Sequence, residues 1–195
     1  PAALPLILPD WPAPPSVRAC VTTKLGGVSA PPFGPFNPAT HVGDDPQAVA
    51  DNRALLRAHL PAEPLWLDQV HGVEVLDADR QRCGTGDASV AHRPNRVCAV
   101  MTADCLPVLF CNRQGSVVAA AHAGWRGLLA GVLTRTVEHM GCAPADLMAW
   151  LGPAIGPDAF EVGPEVRTAF VERLRGAARA FRAGTGDRLY ADIYA

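Results

Sequence analysis

No stretch of this chain reaches the ~18 consecutive apolar residues of a membrane-spanning helix, although 49% of its 195 residues are hydrophobic. Apolar content dispersed in this way builds the core of one domain instead. Charge of one sign is also missing. Lys and Arg number 17 against 19 Asp and Glu, a formal net charge of −2, which argues against a nucleic-acid surface or an acidic tail. Internal repeats and low-complexity blocks are absent. Gly26-Gly27 and Gly84-Thr85-Gly86 lack the lysine and hydroxyl spacing of a phosphate loop, and no GxGxxG opens a helix. Without a GxSxG elbow, a serine hydrolase has little support.

The ends and the cysteines are read the same way. The opening Pro1-Ala2-Ala3-Leu4-Pro5-Leu6-Ile7-Leu8-Pro9 has no basic segment and is broken by prolines, so it suits an extended lead-in to a first strand better than a signal peptide. The absent initiator Met is read as a processed or incompletely represented N-terminus. Cys20, Cys83, Cys98, Cys105, Cys111 and Cys142 form no CxxC pair and no dense framework. Reduced thiols in a cytoplasmic protein are therefore expected, most of them acting as small buried hydrophobes. Only Cys105 has polar and turn-forming neighbours.

What is present is a mixture of strand and helix signals. Val17 to Thr23 predicts a short strand ending at Gly26-Gly27, followed by a proline-rich loop from Ala30 to Pro38. Asp45-Pro46 predicts a helix start, with Val49, Asn52, Leu56 and Leu60 on one face to about His59. Leu65 to Val70 and Val73 to Leu76 read as strands around His71-Gly72. Gln81 to Pro94 reads as a loop. Val97 to Thr102, Pro107 to Asn112 and Val117 to Ala121 are apolar runs suited to buried strands, the last two joined as a hairpin by Asn112-Arg113-Gln114-Gly115. After Gly127 the period becomes helical, through Leu128, Leu129, Val132, Leu133, Thr136 and Val137, and ends near Met140-Gly141. A short strand ends at Trp150-Leu151, and a helix starting at Pro164 is expected to bury Val166, Phe170 and Leu174. Strands and helices without regular alternation predict an α+β fold rather than a doubly wound sheet.

The candidate chemistry lies in three segments. His122 follows an apolar run and precedes Gly124-Trp125-Arg126-Gly127; it suits either a hydrogen-bonded strand-end histidine or a ligand. Cys105, in Asp104-Cys105-Leu106-Pro107, fits a metal thiolate, a nucleophile paired with a histidine, or a buried thiol. Asp104 fits a turn cap or an acid–base residue. His71 stands in a Val-His-Gly turn. Two imidazoles and one thiolate suffice for a zinc with an open fourth position, but no pair has zinc-finger spacing. His41, His59, His92 and His139 are read as structural. Lys24 and Arg126 suit an anion such as phosphate, or a solvated surface.

Taken together, these segments closely resemble the laccase-domain family of purine nucleoside phosphorylases, whose members are also described as polyphenol oxidases and as a peptidoglycan editing factor. The resemblance runs in family order through Thr22-Thr23-Lys24-Leu25-Gly26-Gly27-Val28-Ser29, His41-Val42-Gly43-Asp44, Gln69-Val70-His71-Gly72, Asp87-Ala88, Thr102-Ala103-Asp104-Cys105-Leu106-Pro107, His122-Ala123-Gly124-Trp125-Arg126-Gly127, Leu151-Gly152-Pro153-Ala154-Ile155-Gly156 and Phe160-Glu161-Val162-Gly163. It covers nearly the whole chain, residues 1–195 as one catalytic domain.

The resemblance implies a single compact α+β domain with a mixed β-sheet core flanked by helices, similar to bacterial toxin deamidase domains with a Cys-His site. It implies a zinc ion held by His71, Cys105 and His122, with copper a weaker alternative because the six histidines fall short of a multicopper site. The implied substrates are purine nucleosides and phosphate: phosphorolysis of adenosine, inosine, guanosine and methylthioadenosine, and deamination of adenosine. Lys24 and Arg126 are then candidates for phosphate, Asn37 for the nucleoside, and Asp104 for acid–base work. No nucleic-acid or membrane partner is expected. Alternatives are a metal-free Cys105–His122 thiol hydrolase or deamidase, a laccase-like polyphenol oxidase, and a non-catalytic role in cell-wall quality control. Three departures from the family pattern stand out. Lys24 replaces the usual arginine, and Pro38 replaces the leucine after Asn37. The closing Tyr190-Ala191-Asp192-Ile193-Tyr194-Ala195 resembles the start of a family helix, so a further C-terminal family segment is expected to be missing here.

Overall fold

The computed structural model describes residues 4–195, so Pro1–Ala3 of the extended lead-in lie outside the described residues. Leu6–Ile7 (β1) pairs antiparallel with Val21–Thr22 (β2). The second strand is shorter than the expected Val17–Thr23, because the Val17 N–H closes a turn onto the Pro14 carbonyl. Helix Pro46–Arg57 (α1) starts where Asp45-Pro46 places it: the Asp45 carboxylate accepts from the Gln47 N–H at 3.1 Å and proline occupies the first turn.

The apolar face of α1 carries one fully buried amide. Asn52 is 0% exposed. Its Oδ1 accepts from the Val28 N–H at 2.9 Å, and its Nδ2 donates to Ser29 Oγ at 2.8 Å and to the carbonyls of Asn37 at 3.1 Å and Pro35 at 3.2 Å. These bonds supply backbone partners that the proline-rich loop cannot obtain from regular pairing. Gly27 lies against the same amide, where a Cβ would meet Asn52 Oδ1 at 2.4 Å and the Pro35 carbonyl closer still.

Next along the chain come Trp66–Asp68 (β3), Val75–Asp77 (β4), Cys83–Thr85 (β5), Ala88–Ala91 (β6), Leu106–Asn112 (β7) and Val118–Ala123 (β8). Then follow helices Trp125–Ala130 (α2) and Val132–Met140 (α3), Leu147–Leu151 (β9), Glu161–Val162 (β10), Pro164–Arg173 (α4), Phe181–Ala183 (β11) and Leu189–Ala191 (β12). A mixed five-stranded sheet in the order β4-β6-β8-β7-β9 forms the centre, with β4 and β6 parallel and the other pairs antiparallel. β3 and β5 form a parallel pair, and β10-β12-β11 an antiparallel sheet. The fold is α+β, one domain with a mixed sheet and flanking helices. Val132 and Met140 of α3 pack on Val75, Val90, Val108 and Ala121 on one face of the sheet, while Leu65, Leu67, Leu76 and Ala91 form the cluster on the other. Strands covered on both faces carry few polar residues, which is why β7 and β8 stand out in the sequence. Among the described residues no helix is long and apolar enough to cross a membrane.

Several elements differ from the sequence reading. The supposed loop Gln81 to Pro94 holds β5 and β6, and β6 lies inside the main sheet. Val97 to Thr102 is not a strand; it makes one isolated bridge, Leu65 to Cys98, and the Gln69 side chain satisfies Met101 at both N–H and C=O. The helix after Gly127 is two helices, broken at Gly131 with φ 101°. A left-handed glycine stops one helix and starts the next. Leu174 is 51% exposed, since α4 ends at Arg173. Tyr190-Ala191 belongs to β12 rather than to a helix.

Asn52→Ala tests the loop anchor. It strips partners from the Val28 N–H and the Ser29, Pro35 and Asn37 oxygens together, and equilibrium urea unfolding is expected to show a loss of about 2–4 kcal/mol. A loss under about 0.5 kcal/mol, the range of surface substitutions, contradicts the anchoring role.

Candidate metal centre

The hairpin register places Cys105. Leu106 of β7 pairs with Ala123 of β8, and Pro107 with His122. One step further along the same register, Cys105 stands beside Gly124. A Cβ on Gly124 would lie 2.6 Å from His71 Cδ2 and 2.9 Å from Cys105 Sγ, so the side chain this residue lacks is the room the cluster occupies. His71 enters from the turn between β3 and β4. It has φ 60°, a left-handed conformation that costs a non-glycine residue about 1–2 kcal/mol.

The ligand atoms of His71, Cys105 and His122 all lie within 4.8 Å of one another. Cys105 Sγ is 3.8 Å from His71 Nε2, and the two imidazoles meet edge to face with centroids 4.8 Å apart. His122 is buried, Cys105 half-buried and His71 exposed, so the cluster opens outward on the His71 side. Bond lengths of about 2.0–2.1 Å to nitrogen and 2.3 Å to sulfur need only a small closing of these separations. Two imidazoles and a soft sulfur fit zinc or copper by donor type.

A residue outside the three organises them. Asp87 is 0% exposed. Its Oδ1 accepts from His122 Nδ1 at 2.8 Å and from the His71 N–H at 2.9 Å; its Oδ2 accepts from the Gly72 N–H at 2.6 Å and the Val70 N–H at 3.2 Å. Burial alone pushes the Asp87 carboxyl up, but the His122 ring and the N–H groups of Gly72, Val70 and His71 together hold it below the usual carboxylate range. Burial depresses His122, against the upward pull of Asp87, so its ring is neutral at pH 7. The Cys105 thiol is raised, first by burial and then by Asp104 and Asp87. Gln69 makes a second tie: its Nε2 donates to the Met101 carbonyl at 2.8 Å and its Oε1 accepts from the Met101 N–H at 2.7 Å. The His71 turn is thereby joined both to β8 and to the segment leading into Cys105.

The remaining candidates lie elsewhere on loops and surfaces. Asp104 is exposed, and its carbonyl accepts from the Ile155 N–H at 2.9 Å. Lys24 is exposed in the turn that follows β2. Arg126, in the first turn of α2, stacks its guanidinium 4.4 Å from the Trp125 ring. Asn37 turns its amide into its own loop, donating to Asp44 Oδ2 at 2.9 Å and accepting from the Ala39 N–H at 3.0 Å. Among the histidines read as structural, His139 bonds the Arg135 carbonyl at 2.8 Å. Residue-by-residue reading gave no role to Asp87, Gln69 or Gly124. The one signal for Asp87 is its place in the resembling segment Asp87-Ala88.

A family model described as multi-copper polyphenol oxidoreductase laccase matches residues 18–195. A purine nucleoside phosphorylase of Pseudomonas aeruginosa is 57% identical over 189 residues, covering 96% of this chain and 78% of that protein. A purine nucleoside phosphorylase of Escherichia coli, YfiH, is 54% identical over 193 residues, with 97% and 79% covered. The crystal structure of a Neisseria meningitidis protein superposes with a TM-score of 0.92 at 46% identity, over 97% of this chain and 79% of that one.

Gly124→Ala tests the crowding. Gly124 has φ −65° and ψ 158°, which alanine adopts freely, so any effect comes from the added methyl. Affinity for zinc or copper, measured by chelator competition, is expected to fall about tenfold or more while the thermal midpoint stays near wild type. Unchanged affinity for both metals counts against binding at these three side chains.

Proposed function

This chain belongs to the family described as multi-copper polyphenol oxidoreductase laccase, and on that premise we propose that it is a zinc-dependent purine nucleoside phosphorylase that also deaminates adenosine. The observation that carries the reading is the convergence of two imidazoles and one thiol on one point, in a chain 57% and 54% identical to proteins named purine nucleoside phosphorylase. The proposed substrates are adenosine, inosine, guanosine and methylthioadenosine, with phosphate. Three donors suit a single ion with an open position. Zinc is the proposed ion and copper the alternative at the same atoms.

A zinc ion bound there supplies a Lewis acid and brings the pKa of a water toward ~7. The protein's own groups do the rest. In phosphorolysis a phosphate oxygen bonds to the ribose anomeric carbon while the glycosidic bond breaks, and the purine leaves with the electron pair and takes up a proton. Arg126, two residues past Gly124 and steadied by Trp125, is proposed to bind the phosphate together with Lys24. Asn37 is proposed to face the nucleoside through the loop anchored by Asn52; its engaged amide leaves a lone pair on Oδ1 for the contact. Asp104, exposed beside Cys105 and free of the burial that confines Asp87, is proposed to carry the proton. In deamination, water oxygen adds to the ring carbon bearing the amino group, and ammonia leaves.

One observation favours a second reading: the Asp87–His122 pair at 2.8 Å has the form of the orienting half of an Asp–His–Cys hydrolase. Against it, the Cys105 thiol is raised rather than lowered, and the imidazole it hydrogen-bonds is that of His71, at 3.8 Å. A nucleophilic cysteine needs the opposite shift.

Metal analysis combined with product identification separates the two. Adenosine with phosphate is expected to give adenine and ribose 1-phosphate, and without phosphate, inosine. Cys105→Ala and His71→Ala should each lower metal content and both activities together, by about 10²-fold or more in rate. Activity that survives His71→Ala but not Cys105→Ala, with metal content unchanged, selects the hydrolase reading. A metal-replete protein that forms neither product rules out the phosphorylase.

A further inference from the structure

Asp87 is not among the three metal donors, yet two of those donors are held by it. We infer that Asp87 is the positioning residue of the centre: a single carboxylate that fixes the orientation and tautomer of His122 and at the same time clamps the His71 turn, so that both imidazoles are set for a metal before it arrives. The inference deepens the metal reading above and rests on it for the identity of what the imidazoles receive.

The geometry is restrictive. A carboxylate offers about four lone-pair positions, and four N–H groups take them: the His122 ring and the His71 backbone on Oδ1, the Gly72 and Val70 backbones on Oδ2. Each oxygen already faces backbone N–H donors, so the proton between Asp87 and His122 belongs to the ring Nδ1. That leaves Nε2 bare, and Nε2 is the atom able to turn to the metal. On the other side, His71 at φ 60° lets three consecutive N–H groups, of Val70, His71 and Gly72, converge on one carboxylate as a backbone nest. The Asp87 carbonyl also accepts from the His122 N–H at 2.7 Å, tying main chain as well as side chain to β8. A positioned ring and a positioned turn thus share one anchor, and neither can shift without unpairing a buried donor.

The test uses Asp87→Asn and Asp87→Ala in the full chain. Asparagine is not conservative here, because whichever way its amide turns, an NH2 group meets N–H donors. Both variants are expected to bind zinc 10- to 100-fold more weakly by chelator competition, and the visible bands of the cobalt(II)-loaded protein should shift or lose intensity. Asn52→Ala, which loosens a separate buried network, should lower stability without moving those bands. Folded Asp87 variants that keep zinc within about twofold of wild type, against the 10- to 100-fold expected of a supporting residue, and keep the cobalt spectrum, overturn the inference. Should they fail to fold, histidine 15N spectra of metal-free wild type decide: His122 protonated at Nδ1 with Nε2 bare supports the inference, and the opposite tautomer overturns it. Wild-type protein that takes up no metal sinks the metal reading, and the tautomer still reports on Asp87.

Discussion

The structure around the site depends on burying one carboxylate with every lone pair engaged. An uncompensated buried charge costs several kcal/mol, and Asp87 at 0% exposure avoids that cost only if the Val70–Gly72 turn and the His122 ring are where they are. The constraint works in both directions. The turn holds a left-handed His71 while the carboxylate collects its N–H groups, and Asp87, one residue before β6, reaches that turn on one side and His122 of β8 on the other. The strand that follows is closed off from solvent: Ala88 and Ser89 are fully buried.

The other two links to the cluster are of different kinds. Cys105 is placed by ladder register, since a one-residue slip of β7 against β8 would turn its alternating side chains to the wrong face. The Met101 segment before it has no ladder, and the Gln69 amide takes over both of its backbone groups. Gly124 and Gly127 complete the arrangement by absence. The first leaves space for His71 and Cys105, and the second lets α2 approach the Gly72 carbonyl, which a Cβ would meet at 2.9 Å.

How legible this was in the sequence varies by element, for physical reasons. Helix α1, the β7–β8 hairpin and the end of α3 could be read because their signals are local: Asp45-Pro46 at a helix start, Asn112 to Gly115 between two apolar runs, and Gly141 with φ 62° after Met140. β5 and β6 could not, because Cys83–Thr85 and Ala88–Ala91 are three and four residues long and flank glycine and aspartate, which read as a turn. Val97 to Thr102 misled in the opposite sense: it is apolar because Cys98 and Val100 pack on the second cluster, not because it pairs in a sheet. The three donors were legible as residue types, but their convergence is a tertiary fact. Asp87 was legible only as part of a resembling segment, since a buried carboxylate and a solvated one look alike in a sequence.

Charge balance is the last constraint and concerns what the centre is built to hold. Without an ion, burial favours the neutral form of His122, and Cys105 is favoured as a thiol by burial and by the nearby carboxylates. Asp87 is the one buried charge beside them, already bonded on all sides. A divalent cation would release the thiol proton, and its two positive charges would then meet two negative ones, the thiolate and Asp87. The same sum limits the number of ions: a second divalent cation at these three donors would have neither a ligand nor a counter-charge, so the donor set and its supporting carboxylate match one ion.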